Sequence, residues 1–118
     1  MRLLIERVDV DVDTKDKNRR TPLLWAAMYR REAVVQLLIQ RVDVDVNAKD
    51  KDGWTPLLCA AKKGHEDVVR LLSERVDVDI NAEDSSGQSS FLWAARTGYE
   101  AVVRLLAWAR DVSGQDRT

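Results

Sequence analysis

Apolar residues along this chain follow two rhythms that take turns. In residues 55–74, Leu57, Leu58, Ala60 and Ala61 are followed by Val68, Val69, Leu71 and Leu72 at spacings of three and four. That spacing predicts two short helices, each with one buried stripe. Thr55 before Pro56 predicts the first helix start: the hydroxyl caps, and proline fits the first turn, where its missing N–H costs nothing. Gly64 predicts the stop, because it enters the left-handed conformation without steric cost. The second helix is predicted from Glu66 to Glu74, with Asp67, Arg70 and Glu74 facing water. Its acidic start and the following Arg75 suit the helix dipole. The rhythm then changes to strict alternation in Val76-Asp77-Val78-Asp79-Ile80, which predicts extended chain before a polar turn through Ser85, Ser86 and Gly87.

The same pattern returns. TPLLWAA at 21–27 becomes TPLLCAA at 55–61 and SSFLWAA at 89–95, and RVDVDVD at 7–13 becomes RVDVDVN at 41–47 and RVDVDIN at 75–81. Each step is 34 residues, and residues 7–27 agree with 41–61 at 15 of 21 positions. A chain built this way buries each unit against its neighbours and leaves a long surface for a partner. That organisation points to a binding module rather than an enzyme.

TPLLxAA, the Gly64-His65 pair, VVRLL and VNAKDKDGWTPL together resemble ankyrin repeats, and the resemblance covers nearly all of residues 1–110. Tetratricopeptide repeats share the period, but they are two full helices with a short turn and place no Thr-Pro start after an alternating loop. The resemblance implies an all-α solenoid of antiparallel helix pairs joined by projecting, hairpin-like loops. The expected domain spans 1–112, with a half repeat at 1–20, repeats at about 21–54, 55–88 and 89–112, and a disordered polar tail at 113–118. Met1 to Arg7 aligns with the second helix of a unit (Leu3-Leu4 against Leu37-Leu38), so the chain is expected to begin midway through a repeat.

Several positions depart from the family pattern. Val42-Asp43-Val44-Asp45 and Val76-Asp77-Val78-Asp79 replace the family's Gly-Ala-Asp and add one residue, and an aspartate is expected to take the strained turn position there. The histidine after Thr-Pro-Leu is Leu24, Leu58 and Leu92, trading polar ties for apolar burial. Arg19 and Arg30 stand where later units have Gly53, Gly87 and Gly64, Gly98; each costs on the order of 1 kcal/mol if left-handed geometry is kept. Ser89-Ser90 replaces Thr-Pro and keeps only the cap. Trp108 occupies the position of Gln40 and Glu74 and reads either as an apolar cap on the stack or as an exposed patch, the cap being favoured by Ala107 and Ala109 beside it.

Composition narrows the function. Nineteen Lys and Arg oppose twenty Asp and Glu, 45% of residues are hydrophobic, and no apolar run approaches a membrane span. Charges follow the opening MRLLIERVDV at once, so export is not expected, and one cysteine fits a reducing, intracellular setting, with cytoplasm and nucleus undistinguished. Asp9-x-Asp11-x-Asp13 and Asp43-x-Asp45-x-Asn47 mimic the opening of a calcium loop. They lack its glycine at the sixth position and its glutamate at the twelfth. Cys59 shares its repeat position with Trp25 and Trp93, which reads as a core column. His65 has no third group to orient it for catalysis and reads as a packing and hydrogen-bonding residue. No catalytic group, metal or cofactor is expected.

In ankyrin repeats partners usually lie along the concave face of loop tips and first helices. Carried over by position, the resemblance implies a binding row of Lys17, Arg20, Met28, Tyr29, Lys51, Asp52, Trp54, Lys62, Lys63, Ser85, Gln88 and Arg96. Trp54 reads equally as a contact or a partly packed side chain. With Lys15, Lys49 and Glu83 added, the row holds eight basic and two acidic residues, about +6 on a molecule of net charge −1. Such a face suits an acidic segment of another protein, with Tyr29, Met28 and Trp54 as anchors. Nucleic acid is not the expected partner, since no recognition motif is present, and neither is a membrane. The alternatives are a piece of a larger ankyrin scaffold, joined to further repeats or to itself through its end faces, and a substrate of an asparagine hydroxylase. The latter would act on Asn47 and Asn81 in their Val/Ile-Asn-Ala context.

Overall fold

The computed structural model describes residues 13–115, and side chains as far as Ala109. Six helices follow one another: α1 (Pro22–Met28), α2 (Glu32–Ile39), α3 (Pro56–Lys63), α4 (Glu66–Ser73), α5 (Ser90–Thr97) and α6 (Glu100–Gln115). Consecutive helices pair as α1–α2, α3–α4 and α5–α6, and the pairs stack so that α1, α3 and α5 form one layer and α2, α4 and α6 the other. The only β pairing among the described residues is one isolated antiparallel bridge between Glu83 and Ser89, at the base of a projecting loop.

Local chemistry sets the helix ends. Thr21, Thr55 and Ser89 each accept the backbone N–H three residues on, from Leu24, Leu58 and Leu92, at 3.1–3.2 Å. Proline opens α1 and α3. The helix-to-helix turns pass through left-handed residues, Gly64 (φ 73°) and Gly98 (φ 81°). Arg30 keeps that geometry at φ 57°, and Arg19 keeps the loop geometry of Gly53 and Gly87 at φ 63°. Both arginines therefore carry the strain that their sequence positions suggested.

The core runs continuously through the stack. Leu38, Leu72 and Leu106, spaced by 34 residues, are all 1% exposed or less, and Leu23, Ala27, Leu57, Ala60 and Ala61 are equally buried. Burying each leucine contributes about 1.5–3 kcal/mol. Leu24 and Leu58 are fully buried between repeats. Leu92, the last of that column among the described residues, is 41% exposed.

Three expectations need correction. The Val-Asp alternation is not extended chain: Val78 N donates to Arg75 O at 3.3 Å and Ala82 N to Asp79 O at 3.3 Å, making two successive turns. Val76 is fully exposed while Ile80 is buried, so alternation marks which valines meet the core, not the backbone shape. Nor does an aspartate take a strained position, since Arg19 and Arg30 are the only non-glycine residues at positive φ among those described. The chain leaves α2 and α4 through ordinary right-handed residues, Gln40 and Glu74. Finally, α6 extends to Gln115, so 113–115 are helical where the sequence predicts a disordered tail. The half repeat's helix at Leu3-Leu4 and the calcium-loop mimic at Asp9 and Asp11 lie outside the described residues.

Arg75 supplies a tie between repeats. Its Nη1 donates to Ile39 O at 2.9 Å and Arg41 O at 3.0 Å, capping the end of α2 in the preceding unit. Its Nε and Nη2 meet both carboxylate oxygens of Asp77 at 2.9 and 2.7 Å. The Asp77 hydrogen bonds raise the arginine's affinity for its proton, and the guanidinium in turn holds the Asp77 carboxyl below its usual value.

Candidate partner-binding face

Each projecting loop is organised by one aspartate, at 16, 50 and 84. Asp16 Oδ1 accepts the N–H of Asn18 and Arg20, Asp50 Oδ1 that of Asp52 and Trp54, and Asp84 Oδ1 that of Ser86 and Gln88, all at 2.8–3.0 Å. Two of these carboxylates also hold an indole. Asp16 Oδ2 accepts from Trp25 at 3.0 Å and Asp84 Oδ2 from Trp93 at 2.9 Å. Burial pushes the Asp84 carboxyl up, but the donors from Gln88, Trp93 and Ser86 outweigh it and hold it below its ordinary value. Loop tips are linked to each other through backbone: Lys51 N donates to Asn18 O at 3.0 Å, and Ser85 donates to Asp52 O through both its N–H (3.2 Å) and its hydroxyl (2.6 Å).

On this scaffold the cations and aromatics interleave. The Lys62 ammonium lies 4.9 Å from the ring centre of Trp54 and 5.0 Å from that of Trp93. The two indoles are themselves 5.4 Å apart. Arg96 sits 5.8 Å over Trp93 and bonds Gln88 Oε1. In the first unit Arg20 lies 5.3 Å over Trp25, which stacks on Tyr29 at 5.1 Å. Each such contact contributes about 0.5–1 kcal/mol at an exposed site.

Of the twelve residues expected from sequence, Arg20, Met28, Asp52, Trp54, Lys62 and Lys63 line one shallow cavity of about 200 Å³, together with Asp50 and Cys59. Outside its lining, Tyr29 stacks on Trp25, Ser85 bonds Asp52, Arg96 joins Trp93 to Gln88, and Lys17 and Lys51 are exposed at loop tips. Trp54 is half-buried, and its ring, the Trp93 ring and the Lys62 ammonium form a triangle of contacts.

Trp25 and Trp93 were expected in the core and are not. Trp25 is 38% exposed and Trp93 partly so, while Cys59 at the same register is buried. An indole is too long for the space that a thiol fills, so its ring swings out to the loop aspartate. The signal was present: Asp16 and Asp84 precede Trp25 and Trp93 by nine residues. Cys59 is a core residue, and burial pushes its thiol up to about 12. His65 Nε2 donates to Met28 O at 3.1 Å, a polar tie between units rather than a base.

Asn47 is engaged on both sides: its amide donates to Asp77 O at 2.8 Å and accepts from Asp79 N at 2.7 Å. Asn81, one repeat later, is exposed. Among the described residues no group of three or more His, Cys, Asp or Glu is placed to hold a metal ion. No described helix is long and apolar enough to cross a membrane.

The stacked helix pairs, the Thr-Pro starts and the loops between them define a repeat solenoid. The sequence matches the profile described as "Ankyrin repeats (3 copies)" over residues 1–50 and 41–116, and the chain belongs to the ankyrin-repeat family. Ankyrin repeats are generally protein–protein interaction modules and typically non-catalytic. A search of curated proteins finds no match.

Proposed function

We propose that this chain is a non-catalytic recognition module that takes an acidic segment of another protein along its loop and first-helix face. The observation that carries the reading is the Lys62 ammonium held against the adjoining rings of Trp54 and Trp93. A cation positioned over indoles is pre-ordered, so an incoming carboxylate meets it with less side-chain entropy to lose. Arg20 and Arg96 repeat the arrangement on either side, and Lys17, Lys51 and Lys63 add steering charge. Tyr29, Met28 and Trp54 supply the apolar anchors that a charged face alone lacks.

Selection from a random displayed peptide library tests this reading. Winners enriched in Asp and Glu, with binding lost in a Lys62→Glu/Lys63→Glu variant and weakened by salt, are the expected result. Winners without acidic enrichment, or binding unmoved by the charge reversals, would overturn it.

Asparagine hydroxylation is a second reading, and exposure favours Asn81 over Asn47. The Asn47 amide would have to leave two hydrogen bonds to be modified, whereas the Asn81 side chain stands in solvent. Mass spectrometry of the chain recovered from cells would show a 16 Da addition (one oxygen atom, about 16 by mass) on the peptide containing Asn81. An unmodified Asn81 would remove this reading.

A further inference from the structure

Two grooves between second-layer helices are related by the 34-residue repeat, and the bridging arginine of one is an alanine in the other. The groove between α2 and α4 is lined by Gln36, Ile39, Gln40, Leu71, Glu74 and Arg75 and measures about 230 Å³. The groove between α4 and α6 presents the same six registers as Arg70, Ser73, Glu74, Leu105, Trp108 and Ala109. It deepens to Val76, Val78 and Ile80 and measures about 540 Å³. In the smaller groove Arg75 reaches across to the carbonyls of Ile39 and Arg41. In the larger one Ala109 stands at the register of Arg75, and Ser73 O and Arg75 O stand at the registers of the two acceptors. Arg75 O accepts Val78 N as Arg41 O accepts Val44 N, so the backbone at the two sites is built alike.

We propose that the α4–α6 groove is a binding site for an arginine side chain of a partner polypeptide. The chain itself displays the recognition chemistry one repeat earlier. A guanidinium presents several donors in one plane and satisfies two carbonyls from one nitrogen, and it sheds water more easily than an ammonium. Val78, Ile80 and Leu105 would cover the aliphatic stem. Trp108, 67% exposed at the rim rather than closing the stack as its position suggested, offers a ring face to the cation. The local charge permits a cation. Arg75 is neutralised by Asp77 at 2.7 Å, and Arg70 by Glu66 and Asp67 at 3.3 and 3.4 Å. Glu74 lines the groove with an exposed carboxylate and joins no ion pair among the described residues. The site lies on the second-helix layer and makes no use of the basic face, so either proposal can fail without the other.

The test is a titration of the isotope-labelled chain with the pentapeptide amide Gly-Gly-Arg-Gly-Gly, following the Trp108 indole and the amides of 76–80 by NMR. The same peptide with lysine or citrulline at the centre serves as comparison. Saturable shifts with the arginine peptide are expected, with binding about tenfold or more weaker for citrulline, which keeps the shape and loses the charge. Ala109→Arg should fill the groove from within, abolish the response and raise the melting temperature. Glu74→Gln, at an exposed position where folding is not at stake, should weaken arginine binding a few-fold. No saturable shift, equal binding of the citrulline or lysine peptide, or a response that survives both substitutions would overturn the proposal.

Discussion

The indole N–H of Trp93 donates to Asp84 at 2.9 Å, tying α5 to the loop that precedes it. The same carboxylate organises that loop through Ser86 and Gln88, so its ionised form belongs to the folded state. Its folded pKa lies below the ordinary 3.8. The stability it contributes is therefore present above that value and lost as pH falls through the folded pKa. Asp16, Asp43 and Asp77 are shifted the same way and act in the same window. Thermal midpoints should be nearly level from about pH 7 to pH 5 and drop below about pH 4. Asp84→Asn should lower the midpoint at neutral pH and shrink the acid-induced drop.

Gly64 and Gly98 share a left-handed conformation but not their surroundings. A Cβ on Gly64 would lie 2.8 Å from the Tyr99 ring, whereas one on Gly98 would meet nothing within 4 Å. Gly98→Ala should cost only the backbone strain, about 1–2 kcal/mol, and Gly64→Ala should cost more. In the other direction, Arg30→Gly should stabilise by about 1 kcal/mol. Its ion pairs to Glu32 and Asp67 join exposed side chains and give little back. Urea denaturation of the three variants checks the order.

Ser90 occupies the register of Pro22 and Pro56, is 1% exposed, and its buried hydroxyl has no hydrogen-bond partner among the described residues. Ser90→Pro would remove an unsatisfied group and preset the first helical φ. A gain of about 1–2 kcal/mol is expected in the same denaturation experiment. A loss would show that the α5 start is shaped differently from its two counterparts.

With its thiol pushed up to about 12 and its side chain buried, Cys59 should resist a disulfide reagent at pH 8 in the native state. Labelling should accelerate with urea in step with the loss of helical circular dichroism, since α3 sits at the centre of the stack. Fast labelling without urea would show that the α3 layer opens locally.

What the sequence disclosed depended on how local the cause was. Thr55-Pro56, Gly64 and the 34-residue echo act within a turn or two, and helix starts, stops and stacking followed from them. Arg75 was legible only as a helix-end charge, because its partners at Ile39 and Arg41 lie a whole repeat away. Alternation in 76–80 misled because two turns in succession expose and bury valines much as a strand does. The basic and aromatic positions of the binding row could be placed by register. The packing of Lys62 against Trp54 and Trp93 could not, since the shared register of Trp93 and the smaller Cys59 reads as one core column.

The clamp at Arg75 also sets the order in which the stack gives way. Pulled from its ends, the molecule has one seam fastened at loop tip and helix end, between the first and second helix pairs at α2 and α4. The other, between α4 and α6, is held through its loops and first helices and lacks a helix-end clamp among the described residues. The α5–α6 pair should peel first and at lower force, leaving the strapped pairs to yield together.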